Sequence, residues 1–317
     1  MSMKACVFDG RCVRLDPAYP DPPAAAGEVR IRLLLAGVCR TDLEIVRGYM
    51  GYTGVLGHEF VGVALEGRYA GRRVVGGINC VCGTCDLCRR GLPTHCRART
   101  VLGIVGRDGA FAERLRLPEA NLVPVPDAVD DRTAVFAEPV AAAIQVGRQV
   151  NLAPGQKVVV LGDGRLGQLV AQVLRAWNLA PRVVGKSAAK LAILHSLGIA
   201  TARADEAAPR KDADVVVECT GTTDGLAMAM AFVRPRGIIV LKSTVADTAG
   251  LNLAPLVVDE VTVVGSRCGP MDEAVAMLAT GAIRVEPLIS AVYPLDDAPA
   301  AMTSAAAPES IKVLIRP

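Results

Sequence analysis

The apolar positions of this chain change their period part-way along it. Up to about residue 125 they alternate with polar ones, and Glu28-Val-Arg-Ile-Arg-Leu-Leu reads as a half-buried strand. Residues 60–65, 72–75 and 111–117 are further short strands, each bounded by glycine or proline. Many short strands punctuated in this way predict a compact barrel, with one short helix over residues 42–46 beginning near Thr41. From residue 130 to 149 the pattern becomes helical. After the turn at Pro154-Gly155 strands and helices alternate: a strand over 157–161, a helix through Trp177, a strand over 182–184 and a helix over 188–197. Residues 214–218, 237–241 and 261–264 are further apolar, β-branched runs. This alternation predicts a parallel sheet covered by helices on both faces. Beyond Gly265 there is one helix, over 272–278, and a strand-like Ile311-Lys-Val-Leu-Ile315, while residues 298–307 read as merely alanine-rich. So short a tail is expected to return to the first domain. The predicted organisation is α/β, with a β-rich domain of residues 1–130 and 266–317 and an inserted parallel-sheet domain of residues 131–265.

Composition narrows the class. A chain of 317 residues is long enough for two cores, and 51% hydrophobic against 21% charged residues is globular rather than disordered. Aromatic residues are only 3%, so the cores must rest on Val, Leu, Ile and Ala. The 35 basic and 32 acidic residues leave a net charge of +3 and form no run of one sign, which gives no support to a nucleic-acid or membrane-surface partner. No apolar stretch is long enough to span a bilayer, and the N-terminus turns polar at Asp9-Gly10-Arg11. A cytoplasmic location is expected. In a reducing compartment the ten cysteines are better read as metal ligands than as a disulfide framework.

Five cysteines fall between residues 80 and 96. Cys82, Cys85, Cys88 and Cys96 make a C-x2-C-x2-C-x7-C pattern that can close a tetrahedron around Zn2+, and a shell with no open position is structural. Cys80 is one too many and reads as a bystander. Cys39 and His58 offer a second donor pair, a thiolate and an imidazole, with Glu59 directly after the histidine and Thr41 two residues past the cysteine. Asp42 can reach the far ring nitrogen of His58 and fix its tautomer. Spacing alone does not name a third ligand. Arg47, Tyr49, Met50, Tyr52 and Val55 lie between the two donors and either line a pocket or pack the loop.

A dinucleotide cradle follows. Gly162-x-Gly164-x-x-Gly167 comes directly after the apolar run Val158-Val-Val-Leu161 and opens a helix, the context in which a helix N-terminus receives a pyrophosphate. Gly162, Gly164, Arg165, Leu166 and Gly167 are therefore candidate cofactor contacts. At the end of the second strand, where an acid takes the ribose hydroxyls of NAD, the chain reads Gly185-Lys186-Ser187. Glycine there, with a cation and a hydroxyl beside it, favours NADP over NAD. A metal site and a nucleotide site in one chain suggest metal-assisted hydride transfer.

Gly37-x-Cys39-x-Thr41-Asp42, Gly57-His58-Glu59, the four-cysteine lobe, the glycine-rich turn and Gly265-Ser-Arg267 occur in this order along almost the whole chain. Together they resemble the zinc-dependent alcohol dehydrogenases of the medium-chain dehydrogenase/reductase family. The resemblance implies a GroES-like catalytic barrel, an inserted Rossmann domain with a cleft between the two, and one catalytic and one structural zinc. It also implies hydride transfer between an alcohol or polyol (or the matching aldehyde or ketone) and a nicotinamide cofactor. Ala137-Glu138-Pro139 matches the glutamate form of the domain junction, so Cys39, His58 and Glu138 are the implied catalytic ligands, with Glu59 an occasional one. Arg40 is implied to contact the cofactor pyrophosphate and Thr41 to take the substrate proton. Where many members carry a relay histidine this chain has Glu44. Assembly as a homodimer or homotetramer is implied as well. A metal-independent quinone or enoyl reductase would lack both donor sets. A non-enzymatic nucleotide-binding or regulatory protein would have no use for an intact one.

Overall fold

In a computed structural model the chain forms two compact units, and the structure describes residues 2–244 and 250–317. The first unit comprises Met1–Glu138, Ala274–Ala279 and Val285–Pro317, and the second Pro139–Glu273 and Thr280–Arg284. The junction falls between Glu138 and Pro139 rather than at 130, and the helical stretch before it is in two pieces. Asp131–Ala134 is capped by Asp130, whose Oδ1 accepts the Thr133 N–H at 2.7 Å, and the longer helix Ala137–Gln149 then runs on into the second unit. Among the described residues no helix is long and apolar enough to cross a membrane.

The first unit is built on seven strands. Their order is Leu122–Pro124, Arg73–Gly76, Glu59–Ala64, Glu28–Gly37, Lys312–Arg316 and Ile289–Pro294, with Arg114–Pro118 also pairing the long strand Glu28–Gly37. That long strand alternates as its sequence predicts, with Val29, Ile31 and Leu33 buried and Arg30 and Arg32 turned outward. A smaller sheet joins Val13–Pro20, Ser2–Phe8 and Gly54–Val55. Of the tail expected to return from residue 266, only Ala274–Ala279 and Val285–Pro317 do so, with more structure than the sequence suggests, while residues 266–273 and 280–284 stay with the second unit. Ile289–Pro294 and Lys312–Arg316 are parallel, and a parallel pair needs a crossover. The alanine-rich stretch supplies it as the helix Ala298–Ala306, burying Ala298, Ala301 and Met302 at helical spacing. Small side chains on both faces hide that period from a hydrophobicity pattern.

The second unit is a six-stranded parallel sheet in the order Ala200–Arg203, Arg182–Gly185, Val158–Leu161, Ala213–Glu218, Val233–Leu241, Thr262–Gly265. The chain winds outward in both directions from Val158–Leu161, so the crevice beyond its carboxyl end and that of Ala213–Glu218 is the topological switch point where such sheets take ligands. Val158, Val160, Leu161, Val215, Val216 and Val217 are fully buried, each stabilising by about 1.5–3 kcal/mol as an upper estimate. The helix Arg165–Ala176 covers one face with Leu169, Val170, Val173 and Leu174.

Candidate metal and dinucleotide sites

Asp42 organises the first site. It is fully buried in the short helix Arg40–Val46, and its Oδ2 accepts the Cys39 backbone N–H at 2.7 Å, which fixes the turn that presents the cysteine. Its Oδ1 accepts the Gly57 N–H at 3.2 Å and lies 3.2 Å from His58 Nδ1, off the hydrogen-bond direction. With Nδ1 turned to a carboxylate, Nε2 is the ring nitrogen that faces a ligand. Gly57 is a required glycine: its φ is +94°, and a Cβ there would meet the Phe111 ring at 2.3 Å. Burial alone would lower the His58 pKa, but the charges of Asp42 and then Cys39 outweigh it and raise the imidazole well above its ordinary range. An imidazole that ligates a cation gives that proton up.

Cys39, His58 and Glu59 form one group, with a donor atom of each within 4.8 Å of the others. Thr41 Oγ1 is 3.8 Å from Cys39 Sγ. Glu59 begins the strand Glu59–Ala64 and is wholly buried, and its Oε2 pairs with Lys312 of the strand Lys312–Arg316, itself wholly buried. Gly37 makes the room, since a Cβ there would lie 2.7 Å from Glu59 Oε2 and from Lys312 Cε and Nζ. Burial lowers the Lys312 ammonium to about 8, with Cys39 and Asp42 pulling it back up. Its Nζ also lies 5.5 Å from the centre of the Phe136 ring. Both oxygens of Glu59 are buried with no hydrogen-bond partner among the described residues; Oε2 has its ion pair with Lys312, and Oε1 has neither. An orphaned carboxylate oxygen beside a thiol and an imidazole is a donor set that fits a borderline cation such as zinc.

Glu138 is in neither donor group; it stands in the first turn of Ala137–Gln149. Glu44, considered for the proton relay, has Oε1 occupied by Arg40 Nε at 2.8 Å and Arg47 Nη1 at 2.9 Å. Of the pocket candidates, Tyr52 and Val55 are buried and pack the fold, the Tyr52 hydroxyl donating to the carbonyls of Val55 and Arg107. Arg47 is tied to Glu44, and Met50 is exposed. Lys312 was missed at the level of sequence, although a lysine inside Ile311-Lys-Val-Leu-Ile315 on the inward side of a strand is a visible signal.

Cys82, Cys85, Cys88 and Cys96 form the second donor group, again with ligand atoms within 4.8 Å of one another. The Cys82 and Cys96 sulfurs are 3.5 Å apart, and the Cys85 N–H points to Cys82 Sγ at 3.3 Å. Backbone and side-chain hydrogen bonds from Thr84, then the Cys85 amide, pull the Cys82 thiol down to about 6. Four convergent sulfurs held by amides fit a tetrahedral zinc with no open position. Cys80 stands outside the group, buried near the Asn121 side chain.

The glycine-rich turn of the second unit has the shape of a cradle. Gly162 has φ +110°, and a Cβ there would meet Cys219 O at 2.7 Å. A Cβ on Gly167 would meet Gly162 O at 2.0 Å, so helix and turn pack backbone to backbone. Gly164, the N-cap of Arg165–Ala176, has nothing within 4 Å of its missing Cβ, which leaves open approach to the helix N-terminus. These residues fit a dinucleotide pyrophosphate. At the second strand end, Gly185 is followed by exposed Lys186 and by Ser187, whose Oγ caps the helix Ala188–Ser196.

The chain matches the alcohol dehydrogenase GroES-like domain over residues 25–127 and the zinc-binding dehydrogenase model over residues 166–280. It is similar to an L-threonine 3-dehydrogenase of Streptomyces avermitilis, 32% identical, with 93% of this chain and 94% of that protein covered. The chain belongs to the zinc-dependent alcohol dehydrogenases of the medium-chain dehydrogenase/reductase family. It is an enzyme, an oxidoreductase. Among its relatives in this family is a sorbitol dehydrogenase of Halalkalibacterium halodurans, 28% identical over 94% of each chain. Two solved structures also cover all of both chains at 26% identity and a TM-score of 0.89. One is a zinc-binding dehydrogenase from Sinorhizobium meliloti bound to NADP, and the other is RspB from Escherichia coli complexed with NADH.

Proposed function

We propose that the protein transfers a hydride between a hydroxyl carbon of a polyol or related alcohol, or the matching carbonyl, and a nicotinamide dinucleotide. The convergence of Cys39, His58 and Glu59 within 4.8 Å, with Thr41 beside the thiol, carries this reading. The sorbitol-dehydrogenase likeness supports a polyol over a simple alcohol. Zinc held by Cys39, His58 and a carboxylate would supply a Lewis acid that lowers the pKa of the substrate hydroxyl and polarises its carbonyl. Glu59 is the carboxylate that the geometry favours and Glu138 the one that the resemblance favours. Asp42 keeps His58 in one tautomer, and Lys312 offsets the buried charge of Glu59. Thr41 Oγ1 takes the hydroxyl proton of the substrate as it passes its own proton on to solvent. Glu44 is held by Arg40 and Arg47, and Arg40 is the residue that the resemblance gives to the cofactor pyrophosphate. The four-cysteine lobe holds the second, structural zinc. With Ser187 Oγ used as a helix cap, Lys186 is what favours NADP, whereas Asp163 beside Gly185 favours NAD.

The protein acts as a homo-oligomer in this reading. Supporting it, Val257 and Val258 are 77% and 79% exposed near the last strand of the parallel sheet, Thr262–Gly265, whose outer edge has no partner among the described residues.

A turnover screen of alcohols, polyols and aldehydes with both nucleotides, on wild type and Cys39→Ser, tests the function. Polyol-linked reduction of the nucleotide is expected, falling by at least about a hundredfold in Cys39→Ser while nucleotide binding is kept. Turnover unchanged in Cys39→Ser would overturn the assignment.

A further inference from the structure

The glycine-rich turn carries an acid that its fingerprint does not require. Asp163 stands between Gly162 and Gly164, and its side chain reaches the end of the neighbouring strand Arg182–Gly185. A Cβ on Gly185 would lie 2.5 Å from Asp163 Cβ, 2.5 Å from its Oδ2 and 2.6 Å from its Cγ. The volume that a strand-end side chain would fill is therefore already filled, by a carboxylate from the next strand's turn. Oδ2 of Asp163 accepts the Ser187 backbone N–H at 2.6 Å, which anchors the group at this corner. Its Oδ1 takes no hydrogen bond from the described residues.

The charges around that corner do not build a phosphate site. Arg203 ends the adjoining strand Ala200–Arg203 in register with Gly185, but its guanidinium is committed to Asp205 by two bonds of 3.0 and 2.7 Å, with Glu206 at 3.7 Å. Ser187 Oγ faces the Lys190 N–H as a helix cap. Lys186 is exposed and makes no ion pair among the described residues, so it is the one cation at the strand end not matched by an acid.

We propose that Asp163 supplies, from the glycine-rich turn, the carboxylate that the strand end lacks, and that it selects NAD(H) over NADP(H). A carboxylate accepts the hydroxyls of an adenosine ribose and repels a 2′-phosphate in the same place. A solvated lysine offsets that repulsion only in part, because its charge is screened and mobile. The expectation of NADP drawn from Gly185-Lys186-Ser187 counted the acid as missing, whereas Asp163 brings one to the same corner. This inference rests on the proposal above that the second unit holds a nicotinamide dinucleotide.

Dissociation constants of NADH and NADPH, measured by nucleotide fluorescence on the full chain without substrate, test it. Wild type is expected to bind NADH at least about tenfold more tightly than NADPH. Asp163→Asn keeps an acceptor for the Ser187 N–H and removes the charge. It is expected to erase the preference mainly by tightening NADPH, with an unchanged Tm. A group that only braced the turn would weaken both nucleotides alike. Asp163→Gly combined with Gly185→Asp moves the acid back to the strand end, with the glycine removing the clash at Cβ, and is expected to restore the preference for NADH. Wild type preferring NADPH, or a ratio in Asp163→Asn within about twofold of wild type, overturns the role of Asp163 and leaves the dehydrogenase standing. Failure of wild type to bind either nucleotide overturns both.

Discussion

Three buried ionisable side chains, Asp42, Glu59 and Lys312, are the residues on which the proposed metal centre turns. Each would cost several kcal/mol alone in a dry core, and each is held there by a specific opposite charge or donor. Glu59 has one oxygen in an ion pair with Lys312 and neither in a hydrogen bond, while Glu138 stands outside the donor group. Glu59→Ala is therefore expected to lower zinc affinity at this centre by about 10–100-fold and Glu138→Ala by less, read by competition with a chelator. A larger loss in Glu138→Ala would return the third ligand to the domain junction. A neutral group gives a pH prediction. Burial, with the Asp42 charge adding, pushes the Cys6 thiol from 9.0 up to about 12. The folded chain thus keeps a proton that the unfolded chain releases, so this contribution to stability is complete below pH 9 and is lost as the pH rises toward 12. The slope is at most about 1.4 kcal/mol per pH unit for one proton. Denaturant titrations at pH 8.5 to 10.5 should show that slope reduced in Cys6→Ala.

Among the elements, the cysteine lobe is one that the proposed structural zinc would hold more than its own core does. It offers only the short helix Asp86–Arg89, a single turn at Pro93–His95 and the two-residue strands Asn79–Cys80 and Thr100–Val101. A structural zinc contributes an apparent 10–16 kcal/mol, roughly the stability of a whole domain. Cys96→Ala is expected to open residues 82–96 to limited proteolysis while the parallel-sheet unit keeps its protection. An intact lobe in that variant would show that packing suffices. The lobe, the glycine-rich turn and the alternating strands were legible in the sequence because their signal is local: a spacing, a strand-turn-helix context, a period of two. The crossover helix Ala298–Ala306 was not, because alanine on both faces carries no period. The pairing of Glu59 with Lys312, the reach of Asp163 across Gly185, and the capture of Glu44 by two arginines were also hidden. Each joins residues brought together by strand order or helix geometry, which no spacing in the sequence reports.

For the molecule as a whole, the first unit carries both donor groups and the second carries the glycine-rich turn, and the proposed function divides its work along the same line. The exposed Val257 and Val258 are the side chains on which the proposed assembly rests. Light scattering should find a dimer or tetramer, and Val257→Asp with Val258→Asp should shift it toward monomer. A monomeric wild type at micromolar concentration would leave those side chains without a role in assembly. The central claim is that Cys39 and His58 hold a zinc separate from the one in the cysteine lobe. Zinc content per chain, measured on wild type and Cys39→Ser purified with ample metal, tests it most directly. About two zinc ions falling to about one, with the lobe still protected from proteolysis, is the predicted result; equal zinc content in the two proteins would contradict it.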